Sequence, residues 1–137
     1  MDASTGSTRP RGMAVSTSPG NVSDTVDRLR QLLDARQIEV FAVIDHGGGA
    51  RDANLELHDE MVVLFGRPSV GTARMPDRPL VGDDRPLRML IWDDAGVTKV
   101  AYREPDALIE EFDLTTSKPT VARLGGLLRS LATELAS

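Results

Sequence analysis

A chain of 137 residues with 40% apolar content has room for one domain with a real core, and a net charge of −5 opposes a nucleic-acid role, because duplex binding draws its affinity from neutralised phosphates. One Trp and one Tyr are too few for a base-stacking platform. No cysteine occurs, which excludes disulfides, thiolate metal sites and cysteine nucleophiles, and no apolar run approaches the roughly 18 residues of a membrane span.

The N-terminus is rich in Ser, Thr, Gly and Arg and lacks the apolar segment of a secretion signal, so a cytoplasmic protein is expected. Residues 1–12 read as a disordered tail, and residues 13–137 as a single domain. Met13 to Thr17 alternate as a short first strand. Asn21 then stands as a helix N-cap with Asp24 three residues on, and Val22, Val26, Leu29 and Leu33 make one apolar stripe, predicting a helix from Val22 to about Arg36.

Ile38 to Asp45 is apolar on both faces in its middle, which predicts a central strand. Gly47 to Gly49 read as a flexible turn and Asp52 to Leu57 as a short helical segment before a second strand, Met61 to Phe65. From Gly66 to Pro86 the chain carries four of its eight prolines, which predicts a long loop. Leu87 to Asp93 and Val97 to Arg103 follow as a hairpin around Asp94, Ala95 and Gly96, the second strand with one wet face. Pro105 opens a short helix to Phe112, and Pro119 opens a closing helix through residues 119–136 with the stripe Val121, Leu124, Leu128, Leu131 and Leu135. Gly125-Gly126 interrupt that stripe, which requires either close packing against another backbone or a bend. These elements together predict an α+β fold, one mostly antiparallel sheet with helices packed on one side.

A series of motifs in fixed order resembles a known family. Ile44-Asp45-His46 with Ala50, Phe65-Gly66-Arg67-Pro68 with Gly71-Thr72, the stretch Pro86 to Asp94, and Tyr102-Arg103-Glu104-Pro105 are similar to the family named Domain of Unknown Function 302. Val22 to Leu29, including Thr25, matches its first helix, and the likeness covers roughly residues 13–114. The resemblance implies a β-α-β4-α domain of the TATA-box-binding-protein-like class that forms a homodimer. Arg67 stands where the family has Asn, and Arg85 where it has Leu between Asp and Pro; both add cationic character.

Asp45-His46 is the leading chemical motif, since His is the usual acid or base at neutral pH and a carboxylate can set its tautomer. Adjacent strand residues point to opposite faces, however, so Asp45 orients His46 only if the strand has ended. His46-Gly47-Gly48-Gly49 resembles a lipase oxyanion loop, but no G-x-S-x-G elbow accompanies it and hydrolase chemistry is rejected. His46 and His58, twelve apart, with Asp45, Asp59 and Glu60 lack metal-site spacing, so no metal or cofactor is expected. Arg67, Arg74, Arg78, Arg85 and Arg88 outnumber Asp77, Asp83 and Asp84 in one segment, and arginines recognise carboxylate or phosphate bidentately. Phe65, Trp92 and Tyr102 fall near strand ends, where they line a pocket or fill the core.

The expectation is a small binding domain that holds a ligand, with an anion favoured, between the strand ends and the Gly66 to Pro86 loop. Its candidate contacts are Asp45, His46, Phe65, Gly66, Arg67, Pro68, Gly71, Thr72 and Arg85. Two alternatives stand beside it: an enzyme with His46 in proton transfer, and a homodimeric interaction module without ligand.

Overall fold

A computed structural model describes residues 12–66, 87–105 and 118–137. The elements are β1 (Met13–Ser18), α1 (Val22–Ala35), β2 (Glu39–Asp45), α2 (His46–Asp52), β3 (Glu60–Gly66), β4 (Leu87–Asp94), β5 (Val97–Arg103) and α3 (Lys118–Ala136). The tail expected over residues 1–12 lies outside the described residues except for Gly12, as do the loop expected to Pro86 and the helix expected from Pro105 to Phe112, beyond their first residues.

The five strands form one sheet in the order β1-β5-β4-β3-β2, and each neighbouring pair is antiparallel. β1 and β2 therefore run in the same direction at opposite edges, and α1 crosses the sheet between them. Strand direction also sorts the residues by end. Ser18, Asp45, Glu60, Asp94 and Val97 lie at one end, where the β4–β5 turn is; Met13, Glu39, Gly66, Leu87 and Arg103 lie at the other.

Helix α1 forms where its chemistry predicts. The Asn21 side chain accepts from the Asp24 backbone N–H at 2.7 Å, filling one of the orphan donors of the first turn. At the other end Gln37 takes φ +58°, with Gln37 N–H donating to the Asp34 carbonyl and Ile38 N–H to that of Leu33. That is a Schellman closure with Gln in the left-handed position glycine prefers, sealed by contact between Ile38 and Leu33 in the core.

Both long helices pack on one face of the sheet. Val22, Val26, Leu29 and Leu33 of α1 and Leu128, Leu131 and Leu135 of α3 join Val63, Phe65, Met89, Ile91, Val100 and Tyr102 in one core. Arg36 ties the two helices together by pairing with Glu134. Burying these side chains supplies roughly 1.5–3 kcal/mol each, the main force holding the layers together.

Four local expectations are corrected. β2 is an edge strand, with Phe41 40% and Ile44 42% exposed, because β1 pairs with β5 and leaves β2 a partner on one side only. A β-bulge between Val40 and Ala42 leaves Phe41 without a register partner and brings Val40 and Val43, rather than alternate residues, against the core. Gly47 to Gly49 fall in the first turn of α2, and the segment after Asp52 is a turn followed by irregular chain rather than a helix. Finally, of the two explanations for Gly125-Gly126 in α3, close backbone packing finds no partner among the described residues: a Cβ on Gly126 would meet nothing within 4 Å, and one on Gly125 would meet the Arg129 guanidinium at 3.2 Å.

The hairpin is as expected. Asp94 and Val97 are register partners, and Ala95 and Gly96 take φ +51° and +91°, the two positive angles of a type I′ turn.

Candidate functional site

The corner at Asp45-His46 is built for structure. Asp45 is the N-cap of α2, and its carboxylate accepts from the Gly48 N–H at 2.7 Å. His46 is the first residue of that helix and is exposed, so the carboxylate beside it faces the helix backbone rather than the imidazole. The glycines explain themselves by distance. A Cβ on Gly47 would lie 3.1 Å from the His58 carbonyl oxygen, so α2 sits close against the strand entry at 58–60; one on Gly48 would lie 2.6 Å from Asp45 Oδ2. Arg51 pairs with Asp59 at 3.1 Å and His58 Nε2 with Glu60 Oε1 at 2.7 Å, beside an open groove lined by Arg51, Leu55, Glu56, Leu57 and His58. Among the described residues no group of three or more His, Asp or Glu could hold a metal ion.

The register does not bring the expected contacts together. Asp45 pairs with Met61, whereas Gly66 pairs with Glu39. Five strand steps separate Met61 from Gly66, roughly 17 Å at about 3.4 Å per residue. Asp45 and His46 thus lie at one end of the sheet, and Phe65 and Gly66 at the other. Phe65 is 0% exposed and belongs to the core. Arg67, Pro68, Gly71, Thr72 and Arg85 lie outside the described residues.

The aromatic residues also separate. Phe65 and Tyr102 face the helices, while Trp92, next to buried Ile91, faces the opposite side of the sheet. Burial pushes the Tyr102 phenol above its usual pKa, Glu104 adds to that effect, and Arg129 opposes it.

The face away from α1 and α3 holds a feature that no single motif of the sequence shows. Ile44 pairs with Val62, Val62 with Leu90, Leu90 with Ala101 and Ala101 with Val15. One apolar row therefore crosses all five strands. Ala101, expected on a wet face, is 3% exposed. The signal was present in the runs Met61 to Phe65 and Met89 to Trp92, which are apolar at both parities and so apolar on both sides. The next row toward the β4–β5 turn reads Glu60, Trp92, Lys99 and Thr17, with Lys99 Nζ 3.6 Å from Asp94 Oδ2. The row on the other side contains Ala42, Leu64 and Arg88.

A single antiparallel sheet with its long helices on one side defines an α+β domain, as expected. The family model Domain of unknown function DUF302 matches residues 13–131, and the chain belongs to this family. The crystal structure of an uncharacterized conserved DUF302 protein from Bacillus stearothermophilus has the same fold, with a TM-score of 0.82 at 15% identity over 92% of this chain and 99% of that one. The chain is also 32% identical over 107 residues to the Fluoride-specific ion channel FluC 1 of Brucella suis biovar 1 (strain 1330), a match covering 77% of this chain and 42% of that protein. The Fluoride-specific ion channel FluC 2 of Brucella melitensis biotype 1 matches at 32% over 107 residues, 77% of this chain and 40% of its own length. The chain thus spans about two fifths of these curated relatives. No described helix is long and apolar enough to cross a membrane.

Proposed function

We propose that this chain is a protein-interaction module whose working surface is the sheet face opposite α1 and α3. The observation that carries this reading is the row Ile44, Val62, Leu90, Ala101 and Val15, apolar across all five strands on a face that neither long helix covers. A contiguous apolar surface rimmed by charged residues is the usual mark of a docking site. The ligand reading asked Asp45 and His46 to meet Phe65 and Gly66, and the register sets these pairs at opposite ends of the sheet. The enzyme reading gave His46 proton transfer assisted by Asp45 or an arginine, and the Asp45 carboxylate is engaged in capping α2.

Trp92 is the only tryptophan of the chain and belongs to the working face, so it reports occupancy directly. Its acrylamide quenching is expected to fall, and its emission to shift to shorter wavelength, when the face is covered. Both are measured as the protein is concentrated and as candidate partners are added. Quenching that stays constant throughout would sink the interaction reading.

A second reading concerns the partner, and the relatives favour it. Proteins named as fluoride-specific channels share this domain over about two fifths of their length, so the chain is proposed to act beside such a channel. The test adds a purified detergent-solubilised fluoride channel to the chain with Trp92 as reporter, and measures fluoride efflux from vesicles holding the channel with and without the chain. No change in either removes this reading.

A further inference from the structure

The geometry points to the outer edge of β2 as a strand-addition site for an extended, apolar segment of a partner protein with basic residues at both its ends. β2 pairs with β3 alone, and among the described residues no strand lies on its other side. In an antiparallel pair alternate residues turn their N–H and C=O away from the partner strand. From Ala42 to Asp45, where the register is regular, β2 therefore offers an open ladder of donors and acceptors. Another extended backbone satisfies such a ladder.

The two edges of the sheet are guarded differently. β1 is polar from Ser16 to Ser18, and α3 packs against it. β2 carries Val40-Phe41-Ala42-Val43-Ile44 with no lysine or proline, the residues that usually blunt an edge. The bulge between Val40 and Ala42 ends the regular ladder on one side and leaves Phe41 without a register partner, its ring 3.5 Å from where a Gly66 Cβ would stand. Gly66 belongs to the same side of β3 as Val62 and Leu64, so Phe41 rests on the open face near Ile44. Both are among the exposed large apolar side chains of the described residues. An added strand covers them with its own apolar side chains, set at every second position.

Charge selects the occupant. Residues 39–60 hold six acids, Glu39, Asp45, Asp52, Glu56, Asp59 and Glu60, against the single arginine Arg51 and no lysine. Arg51 pairs with Asp59, His58 with Glu60, and the Asp45 carboxylate caps α2, while among the described residues no ion pair engages Glu39, Asp52 or Glu56. Glu39 stands at one end of β2, and Asp52 and Glu56 follow beyond the other. A strand with lysine or arginine at both ends meets a carboxylate at each, and an acidic one is repelled. The edge shares Ile44 with the open face and is otherwise separate from it, because Trp92 lies on β4, two strands away.

The test uses the full chain and a synthetic peptide of alternating valine and threonine with paired lysines at both ends, labelled for fluorescence anisotropy. Circular dichroism checks that each variant folds. The peptide is expected to bind, and its glutamate-ended counterpart to bind roughly tenfold more weakly or worse. The lysine peptide N-methylated at alternate residues keeps every charge but loses the donors of one edge, and is expected to lose roughly tenfold as well. Ile44→Lys guards the edge at an already exposed position and is expected to weaken binding by about the same factor. Amide exchange followed by NMR is expected to slow at alternate residues between Ala42 and Asp45 when the peptide is added. Absence of binding at millimolar peptide overturns the proposal, as does binding indifferent to N-methylation. Protection of Trp92 from quenching without slowed exchange on β2 puts the peptide on the open face, which overturns the edge and leaves the interaction reading standing. Exchange on β2 that slows with protein concentration alone makes a second copy the occupant and overturns the foreign strand.

Discussion

The two faces of the sheet differ in what each was made to bury. On the helix side the strand residues are sealed: Val63, Phe65, Met89, Ile91 and Val100 are all 0% exposed. On the opposite side the residues between them are apolar too, yet Ile44 remains 42% exposed at the edge and Val62, Leu64, Leu90 and Trp92 are only partly buried. One face is complete within the chain, and the other has the composition of an interior without the long helices that would make it one.

The sharpest way to break that contrast is truncation on each side. Phe65→Ala should cost about 3–5 kcal/mol in urea unfolding, since it opens a cavity in a closed core. Leu90→Ala, measured at concentrations where the protein is monomeric, should cost clearly less and act mainly on association. Equal losses would mean that both faces are interiors of the single chain.

Next in size is Gly47→Ala, expected to destabilise by about 1–3 kcal/mol, because its Cβ would press within 3.1–3.3 Å of the backbone at His58, Asp59 and Glu60. Asp45→Ala should cost about 1 kcal/mol through loss of the α2 cap. Urea unfolding reads both, and it would also reveal a failure: a neutral Gly47→Ala would mean that α2 is not tightly seated.

Gly49→Ala and Gly126→Ala go the other way. Each lies in a helix with nothing within 4 Å of the added methyl, so each should stabilise by about 0.5–1 kcal/mol, read as a rise in Tm. The smallest effect expected is alkaline. Tyr102 keeps its proton to higher pH when folded than the value of about 10 of an unfolded tyrosine, so its contribution is complete below pH ~10 and is lost as pH rises through the folded pKa. Ultraviolet titration of the chain's one tyrosine, native against denatured, checks the sign.

Local chemistry was legible in the chain. Asn21 and Asp24 announced the start of α1, the stripe of Val22, Val26, Leu29 and Leu33 announced its buried side, and Ala95-Gly96 announced the hairpin, because caps, periodicity and turns depend on residues a few positions apart. The candidate site was not legible in the same way. Asp45-His46 and Phe65-Gly66 both close apolar runs and look alike as strand ends, but whether two ends meet depends on strand direction and register, and antiparallel pairing of β2 with β3 set Asp45 and Gly66 roughly 17 Å apart. The triglycine likewise became a helix through the Asp45 cap and a close seat against residues 58–60, contacts that composition does not encode.

Sequence alone therefore settled the five strands and two long helices, their order, the α+β class and the absence of cysteine chemistry. Only tertiary structure decided that β2 is an edge, that the apolar residues of five strands align in one row, and that this row lies opposite the long helices. The reason is physical: side-chain alternation is a property of each strand, whereas the pairing that joins alternate residues into a surface is formed between segments tens of residues apart.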